Sequence, residues 1–226
     1  MTLEPGAIDA VTFDVYGTLI DWEAGIRAFV APHLAREAPH APPLDEWMRR
    51  WEPIQFALLT PYKPYAEVLV RSFEETNTSF ALPSFADGST GMVRALAEWP
   101  PFPDTIAALR RIGRRRRLGV ISNIDRALLA QTLGTLLAPI TMIATAEDVH
   151  LYKPDEAPFR LAIERLGIAP ARVLHAAFGW RYDLAPARAL GLRTCWVNRG
   201  SSPLPAESAQ PDLEVPSLAA LAEWLG

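Results

Sequence analysis

Side chains able to do covalent chemistry follow apolar, strand-like segments of the chain. Asp14 and Tyr16 follow the first segment, Ser122 and Asn123 the second, Lys153 the third, and residues 178–183, ending in Asp183, the fourth. In parallel sheets flanked by helices, ligands bind at the carboxyl ends of the strands, so these side chains are expected to meet. A carboxylate beside a lysine and hydrogen-bond donors suits nucleophilic catalysis. Taken singly, Ser122 and Asn123 also fit ordinary helix-capping turns.

The segments that carry these residues alternate between strand and helix patterns. The predicted strands are Ile8–Val15, Leu118–Ser122, Ile140–Ala146, Val173–Phe178 and Arg193–Val197. The predicted helices are Asp104–Ile112, Arg126–Leu137, Pro158–Leu166, Leu184–Leu190 and Ser217–Leu225. This alternation predicts an α/β fold, with a doubly wound, Rossmann-like core around a parallel sheet.

Residues 21–98 have a different pattern from the rest of the chain. Apolar residues recur at helical spacing in Ile26–Leu34 and Leu44–Leu59, and Pro61, Pro64 and Pro83 divide the segment into helical pieces. We therefore predict a core of residues 1–20 and 99–226. A helical cap of residues 21–98 is inserted after the first strand.

Composition excludes several classes of function. The net charge is −4, so a nucleic-acid partner is not expected, although residues 110–117 include six arginines. That run is expected to be a solvated helix end, with a patch that binds an anion or a nucleic acid as the alternative. The single cysteine, Cys195, excludes an internal disulfide. The amino-terminal residues lack a signal-peptide pattern and no apolar run approaches 18 residues, so a cytoplasmic location without membrane contact is expected.

The absence of several sequence motifs excludes further classes of function. A dinucleotide-binding glycine fingerprint does not follow the first strand, and the chain has neither a Walker A loop nor a Gly-x-Ser-x-Gly elbow. The four histidines (His33, His40, His150 and His175) have no paired metal-ligand spacing and are expected to be structural or exposed.

Four segments together resemble the motifs of the haloacid dehalogenase superfamily. They are Phe13–Leu19, Ile121–Asn123, Tyr152–Asp155, and Asp183–Gly191 with the following Thr194–Arg199. Their order and spacing run through the whole predicted core, and the helical insertion stands where the family places its cap. The resemblance therefore implies the fold of that superfamily.

Two positions indicate a branch of the superfamily. Phosphatases carry a second aspartate two residues after the nucleophile, where this chain has Tyr16, and a magnesium-binding aspartate where it has Phe178. A hard cation needs several oxygen ligands, so neither a metal nor another cofactor is expected. Tyrosine at the first of these positions is typical of L-2-haloacid dehalogenases.

That resemblance implies hydrolysis of short 2-haloalkanoic acids to 2-hydroxy acids through an ester on Asp14. Lys153 would keep Asp14 ionised, and Asp183 would hold Lys153 or help to activate water. The other implied site residues, which contact the substrate or orient Asp14, are Tyr16, Thr18, Ser122 and Asn123, with Arg49 or Arg50 of the cap on the halide side.

This sequence also departs from the dehalogenase pattern. Phe178 and Trp180 stand where the family has a serine and an asparagine, and we expect both to contribute to substrate binding. Phe159 replaces a tyrosine. These changes leave two alternatives open: a magnesium-dependent phosphatase with unusual ligands, and a non-catalytic protein that binds a ligand or partner. The tryptophan-rich cap segment also makes a homodimer an expectation.

Overall fold

The computed structural model describes residues 3–37, 40–84, 90–206 and 208–226. The chain forms two compact units. An α/β unit comprises Met1–Asp21, Pro101–Asn123 and Leu133–Gly226, and a helical unit comprises Trp22–Pro100 and Ile124–Thr132.

The α/β unit is built on a six-stranded parallel sheet. Its strands are β1 (Ala10–Phe13), β2 (Arg117–Ser122), β3 (Ile140–Thr145), β4 (Val173–Ala177), β5 (Arg193–Val197) and β6 (Leu213–Val215), in the spatial order β3-β2-β1-β4-β5-β6. The predicted doubly wound parallel sheet is confirmed. The short strand β6 was not predicted, because its alternating sequence Leu213–Val215 offers only two apolar residues.

Ten α-helices occur in the described residues. They are α1 (Trp22–Arg36), α2 (Leu44–Ala57), α3 (Tyr65–Ser79), α4 (Thr90–Ala95), α5 (Thr105–Ile112), α6 (Arg126–Leu136), α7 (Ala146–Val149), α8 (Ala157–Leu166), α9 (Ala185–Ala189) and α10 (Leu218–Leu225). Helix α8 ends at Gly167, whose φ of 61° is a left-handed conformation that glycine adopts without steric cost. None of these helices combines the length and apolar character that crossing a bilayer requires.

Strand β1 positions Asp14, the first of the candidate reactive residues. All four of its residues are buried, and it lies between β2 and β4. The connections run from β1 toward β2 and β3 on one side and return to β4 on the other, so the strand order reverses between β1 and β4. Ligands of doubly wound sheets bind at this switch point. Asp14 follows β1 directly, and the amide of Asp14 donates to the carbonyl of Ala176 at the end of β4 (3.2 Å).

The helical unit has an aromatic core of its own. Trp47 and Trp51, on successive turns of α2, stack with centroids 6.5 Å apart, and both contact Phe73 of α3. Their indole N–H groups donate to Asn77 and Ser72 of α3. Both tryptophans are therefore used in packing within this unit.

Candidate active site

Three buried charged side chains meet beyond the ends of the central strands. The Nζ atom of Lys153 lies 2.9 Å from Oδ1 of Asp14 and 2.5 Å from Oδ1 of Asp183. The third donor position of the ammonium is used on the carbonyl of Ile121, at 3.0 Å. One cation thus bridges two carboxylates that belong to different strand ends, as the position of these residues in the sequence predicts.

Thr18 orients the second oxygen of Asp14. Its hydroxyl donates to Oδ2 of Asp14 (2.9 Å), and it accepts a hydrogen bond from the amide of Phe178 (3.1 Å). Because the amide can only donate, the hydroxyl proton is left for the carboxylate. Both oxygens of Asp14 are therefore fixed, one by Lys153 and one by Thr18.

Asn123 holds the backbone of Lys153. Its Oδ1 accepts from the amide of Lys153 (2.7 Å) and its Nδ2 donates to the carbonyl of the same residue (3.1 Å). The sequence-based expectation gave Asn123 a direct role toward the substrate or Asp14. In the structure both ends of its amide bond to the backbone of Lys153 and so hold the lysine in place, and its direct role toward the substrate stays a prediction.

Ser122 has a buried hydroxyl that lacks a hydrogen-bond partner among the described residues. It is the last residue of β2, directly before Asn123. Burying a hydroxyl without a partner is costly, and such groups in native proteins call for an explanation. A bound anion that accepts a hydrogen bond from Ser122 would supply the missing partner.

The two carboxylates differ in their electrostatic environment. Burial raises the pKa of Asp14, and the nearby Asp183 charge adds to this, although Lys153 and Thr18 act in the opposite direction. Burial also opposes ionisation of Asp183, but Lys153 and His175 outweigh it, so the pKa of Asp183 lies below its usual value. Asp14 is therefore the more basic of the two carboxylates, as suits a nucleophile.

The ammonium remains charged in this environment. Burial alone would lower the pKa of Lys153, but the attraction of Asp14 and Asp183 outweighs burial and raises it. The three side chains together carry a net charge of about −1. A further negative charge on a substrate would have to be stabilised by other donors.

Asp183 is presented by an irregular segment. Trp180–Leu184 forms a π-helical turn after β4, a conformation that is rare and frequent at functional sites. His175 of β4 also contacts Asp183. The Nε2 atom of His175 lies 3.3 Å from Oδ1 of Asp183. His175 was expected to be structural or exposed, and no contact with the site was predicted for it. A polar residue in an otherwise apolar buried strand, Val173–Ala177, was the only signal.

Phe178 and Trp180 have different surroundings. Phe178 is 44% exposed as a residue, and its ring lies against Gly17, where a Cβ atom would come within 2.4 Å of the ring. Gly17 also has a φ of 99°, so a larger residue would be excluded by conformation and by contact. Trp180 is half-buried and packs on a cluster of Ala177, Leu184 and Trp196. Packing thus accounts for Trp180, and its substrate role stays a prediction.

Tyr16, Arg49 and Arg50 are the remaining candidate site residues. Tyr16 is half-buried beside Asp14 and forms a bridge with Ile20. Arg49 and Arg50 are exposed residues of α2 in the helical unit, and the guanidinium of Arg50 lies 5.6 Å from the ring centroid of Phe80.

The residues of the site do not fit a magnesium ion. Among the described residues, groups of three or more histidine, cysteine, aspartate or glutamate side chains suited to a metal are not found. The space between Asp14 and Asp183 is taken by the Lys153 ammonium. Phe178 brings an apolar ring where a further oxygen ligand would be needed.

The chain is similar to known hydrolases in sequence and in fold. The family model for haloacid dehalogenase-like hydrolases matches residues 8–191. The (S)-2-haloacid dehalogenase of Pseudomonas putida is 26% identical, with 96% of each chain covered. The crystal structure of an L-2-haloacid dehalogenase has the same fold, with a TM-score of 0.83, 24% identity, and coverage of 96% of this chain and 98% of the other.

A phosphatase is also among the relatives. The phosphoserine phosphatase of Thermus thermophilus is 29% identical, with 87% of this chain and 85% of the phosphatase covered. The similarity to both kinds of enzyme reflects one superfamily, and the match to the family model covers most of the chain. This chain is a member of the haloacid dehalogenase-like hydrolase family.

Proposed function

We propose that this hydrolase removes halide from short 2-haloalkanoic acids, using Asp14 as the nucleophile and no metal ion. The observation that carries the proposal is the Lys153 ammonium bridging Asp14 and Asp183 inside a buried site. The similarity to (S)-2-haloacid dehalogenases over nearly the full chain supports the same chemistry.

The first half of the reaction is a displacement. A carboxylate oxygen of Asp14 attacks the second carbon of the substrate, and the carbon–halogen bond breaks with its electron pair leaving on the halide. The product is an ester between Asp14 and the substrate carbon. Lys153 and Thr18 hold the carboxylate in one orientation, which removes much of the entropic cost of alignment.

The second half of the reaction is hydrolysis of that ester. Water attacks the carboxyl carbon of Asp14, the bond from this carbon to the ester oxygen breaks, and the 2-hydroxy acid leaves with that oxygen. Asp183 and Lys153 are the charged groups next to Asp14, and the low pKa of Asp183 keeps it ionised. We assign them the stabilisation of this step and of the proton that water releases.

Substrate binding is assigned to groups near Asp14. The unpaired hydroxyl of Ser122 is offered to the substrate carboxylate, with Tyr16 beside the nucleophile. The exposed ring of Phe178 gives the substituent an apolar contact. A cytoplasmic location, a homodimer and independence from nucleic acid or membrane stay predictions.

The proposed activity is tested by scoring chloro-, bromo- and fluoro-acids for halide release in the presence of EDTA. We expect release without added metal, because the cation at the site is Lys153. A phosphate ester is assayed in parallel with magnesium, since a phosphatase is among the relatives. Turnover of the phosphate ester alone, lost on chelation and restored by magnesium, would replace the proposal with phosphoryl transfer.

We further propose that Arg49 or Arg50 binds the departing halide, since a guanidinium is always charged and presents several N–H donors. Within the described residues Arg49 has no ion-pair partner, whereas Arg71 of α3 is paired with Glu67 and Glu75. Alanine at one of the two positions is expected to lower turnover at least tenfold, about 1.4 kcal/mol of barrier.

Arg71→Ala is the control, a half-buried arginine of the same unit that should leave halide release unchanged. The indole N–H groups of Trp47 and Trp51 are weak alternatives as halide donors, because both are already bonded within the helical unit. Wild-type rates in both Arg49→Ala and Arg50→Ala would remove arginine from the halide site.

A further inference from the structure

A fully buried histidine connects the candidate active site to the central strand. Nε2 of His175 lies 3.3 Å from Oδ1 of Asp183, and Nδ1 lies 3.0 Å from Oγ1 of Thr12. Thr12 and His175 are register partners in the parallel pair of β1 and β4. The ring of Phe159 packs on His175 edge to face, with centroids 5.3 Å apart. Both nitrogens of the imidazole thus have polar partners, and an aromatic ring packs against it.

The partners of the ring determine where its proton lies. An ionised Asp183 can only accept, so Nε2 must carry a proton to bond with it. In the neutral ring Nδ1 is then an acceptor, and the hydroxyl of Thr12 can donate to it. Thr12 lies two residues before Asp14, so its side chain is directed to the same face of the extended chain. Thr12 and His175 therefore link β1 to the Asp183 carboxylate.

Asp183 depends on few groups for its orientation. Among the described residues, Lys153 and His175 are the donors to its side chain. The family resemblance implies polar side chains at the positions of Phe178 and Trp180. In this chain neither ring donates a hydrogen bond to the Asp183 carboxylate. Without His175, the carboxylate of Asp183 would be held by Lys153 alone.

We propose that His175, held by Thr12, is a positioning residue that fixes the Asp183 carboxylate so that Lys153 is kept against Asp14. This role rests on the proposed dehalogenation, because it acts through the lysine that serves the nucleophile. His175 itself touches neither Asp14 nor Lys153 by a hydrogen bond in the structure.

The electrostatics of Asp183 give this role a measurable consequence. The charged and titratable groups that face it are Lys153 from the segment after β3, His175 from β4 and, by Coulomb interaction, Asp14 from the end of β1. The hydrogen bond from His175 lowers the pKa of Asp183. Its loss would raise that pKa, so Asp183 would be protonated at a higher pH and would release Lys153 sooner as the pH falls.

The test compares four variants in halide release as a function of pH. His175→Leu removes the donor, His175→Gln retains an amide N–H near the position of Nε2, and Thr12→Val removes the hydroxyl that faces Nδ1. Thr76→Val is the control, because the buried Thr76 hydroxyl bonds to the Ser72 carbonyl of its own helix in the helical unit. We expect His175→Leu to lower kcat about tenfold and to move the acidic limb of kcat/KM to higher pH.

His175→Gln should recover most of the rate and the wild-type acidic limb, and Thr12→Val should fall between the two. An acidic limb that stays at the wild-type position in both His175→Leu and Thr12→Val would overturn the inference, even with a lower rate. If His175→Leu does not fold, the comparison of His175→Gln with Thr12→Val decides in the same way.

A measurement without substrate separates this inference from the proposed function. Nitrogen-15 NMR of the four histidine rings, assigned through His175→Gln, reports which ring nitrogen of His175 carries a proton. Protonated Nε2 in the wild-type protein is the expected result, and a bare Nε2 would overturn the inference. Absence of halide release by the wild-type protein would instead reject dehalogenation, and the ring measurement would still stand.

Discussion

Replacing Asp14 by asparagine is expected to lower halide release by at least about 10⁴-fold, the scale at which loss of a nucleophile is felt. The amide has the same size but carries no charged oxygen to displace the halide. Asp14 is buried and bonded through both oxygens to Lys153 and Thr18, so another carboxylate cannot readily take its place. Halide release from the best substrate of the panel is the measurement.

Stability distinguishes loss of chemistry from loss of fold in this variant. Burial raises the pKa of Asp14, so its ionised form costs folding free energy at neutral pH, where a neutral amide would not. The thermal midpoint of Asp14→Asn is therefore expected to be no lower than that of the wild-type protein. Asp212→Asn is the control, a carboxylate that bonds to Thr194 of β5 and should keep full activity. Activity of Asp14→Asn above a few per cent of wild type would mean that Asp14 is not the nucleophile.

Lys153→Met is expected to cost at least about 100-fold in halide release and to move the remaining activity to higher pH. The lysine lowers the pKa of Asp14 through its charge and its hydrogen bond, so its removal raises that pKa. At a given pH a smaller fraction of Asp14 would then be ionised, and activity would rise with pH over the range in which the wild type is already constant.

The geometry of the site provides the control for that variant. Lys153→Arg keeps a positive charge, but a planar guanidinium cannot reproduce a compact ammonium shared by Asp14, Asp183 and the Ile121 carbonyl. It should recover only part of the rate. A wild-type pH profile in Lys153→Met, with folding verified by circular dichroism at each pH, would contradict the electrostatic role of the lysine.

The sheet and the position of its reactive residues follow from local sequence patterns. Apolar runs such as Val173–Ala177 are long enough to be recognised as strands, and the polar residues after them mark the edge where ligands bind. Asp14 and Lys153 are 139 residues apart along the chain, yet the strand-end rule alone predicts that they approach each other. The short segment Leu213–Val215 has too little apolar content for this kind of recognition.

The hydrogen-bond partners of the site residues could not be predicted from the sequence in the same way. The amide of Asn123 could face a ligand or a backbone, and only the three-dimensional path of the chain at Lys153 decides between them. The π-helical turn that carries Asp183 has no sequence signature, so neither its conformation nor its contact with His175 could be anticipated. The partnership of Thr12 and His175 depends on the register of β1 and β4.

A single turnover in ¹⁸O-labelled water tests the nucleophilic role of Asp14 most directly. With enzyme in excess over a 2-haloacid, the ester forms on Asp14, and labelled water then attacks its carboxyl carbon. The account predicts one ¹⁸O atom in the peptide that contains Asp14 and an unlabelled hydroxyl oxygen in the product, both read by mass spectrometry. Label in the hydroxyl of the product with an unlabelled Asp14 peptide would show direct attack by water and would contradict the account.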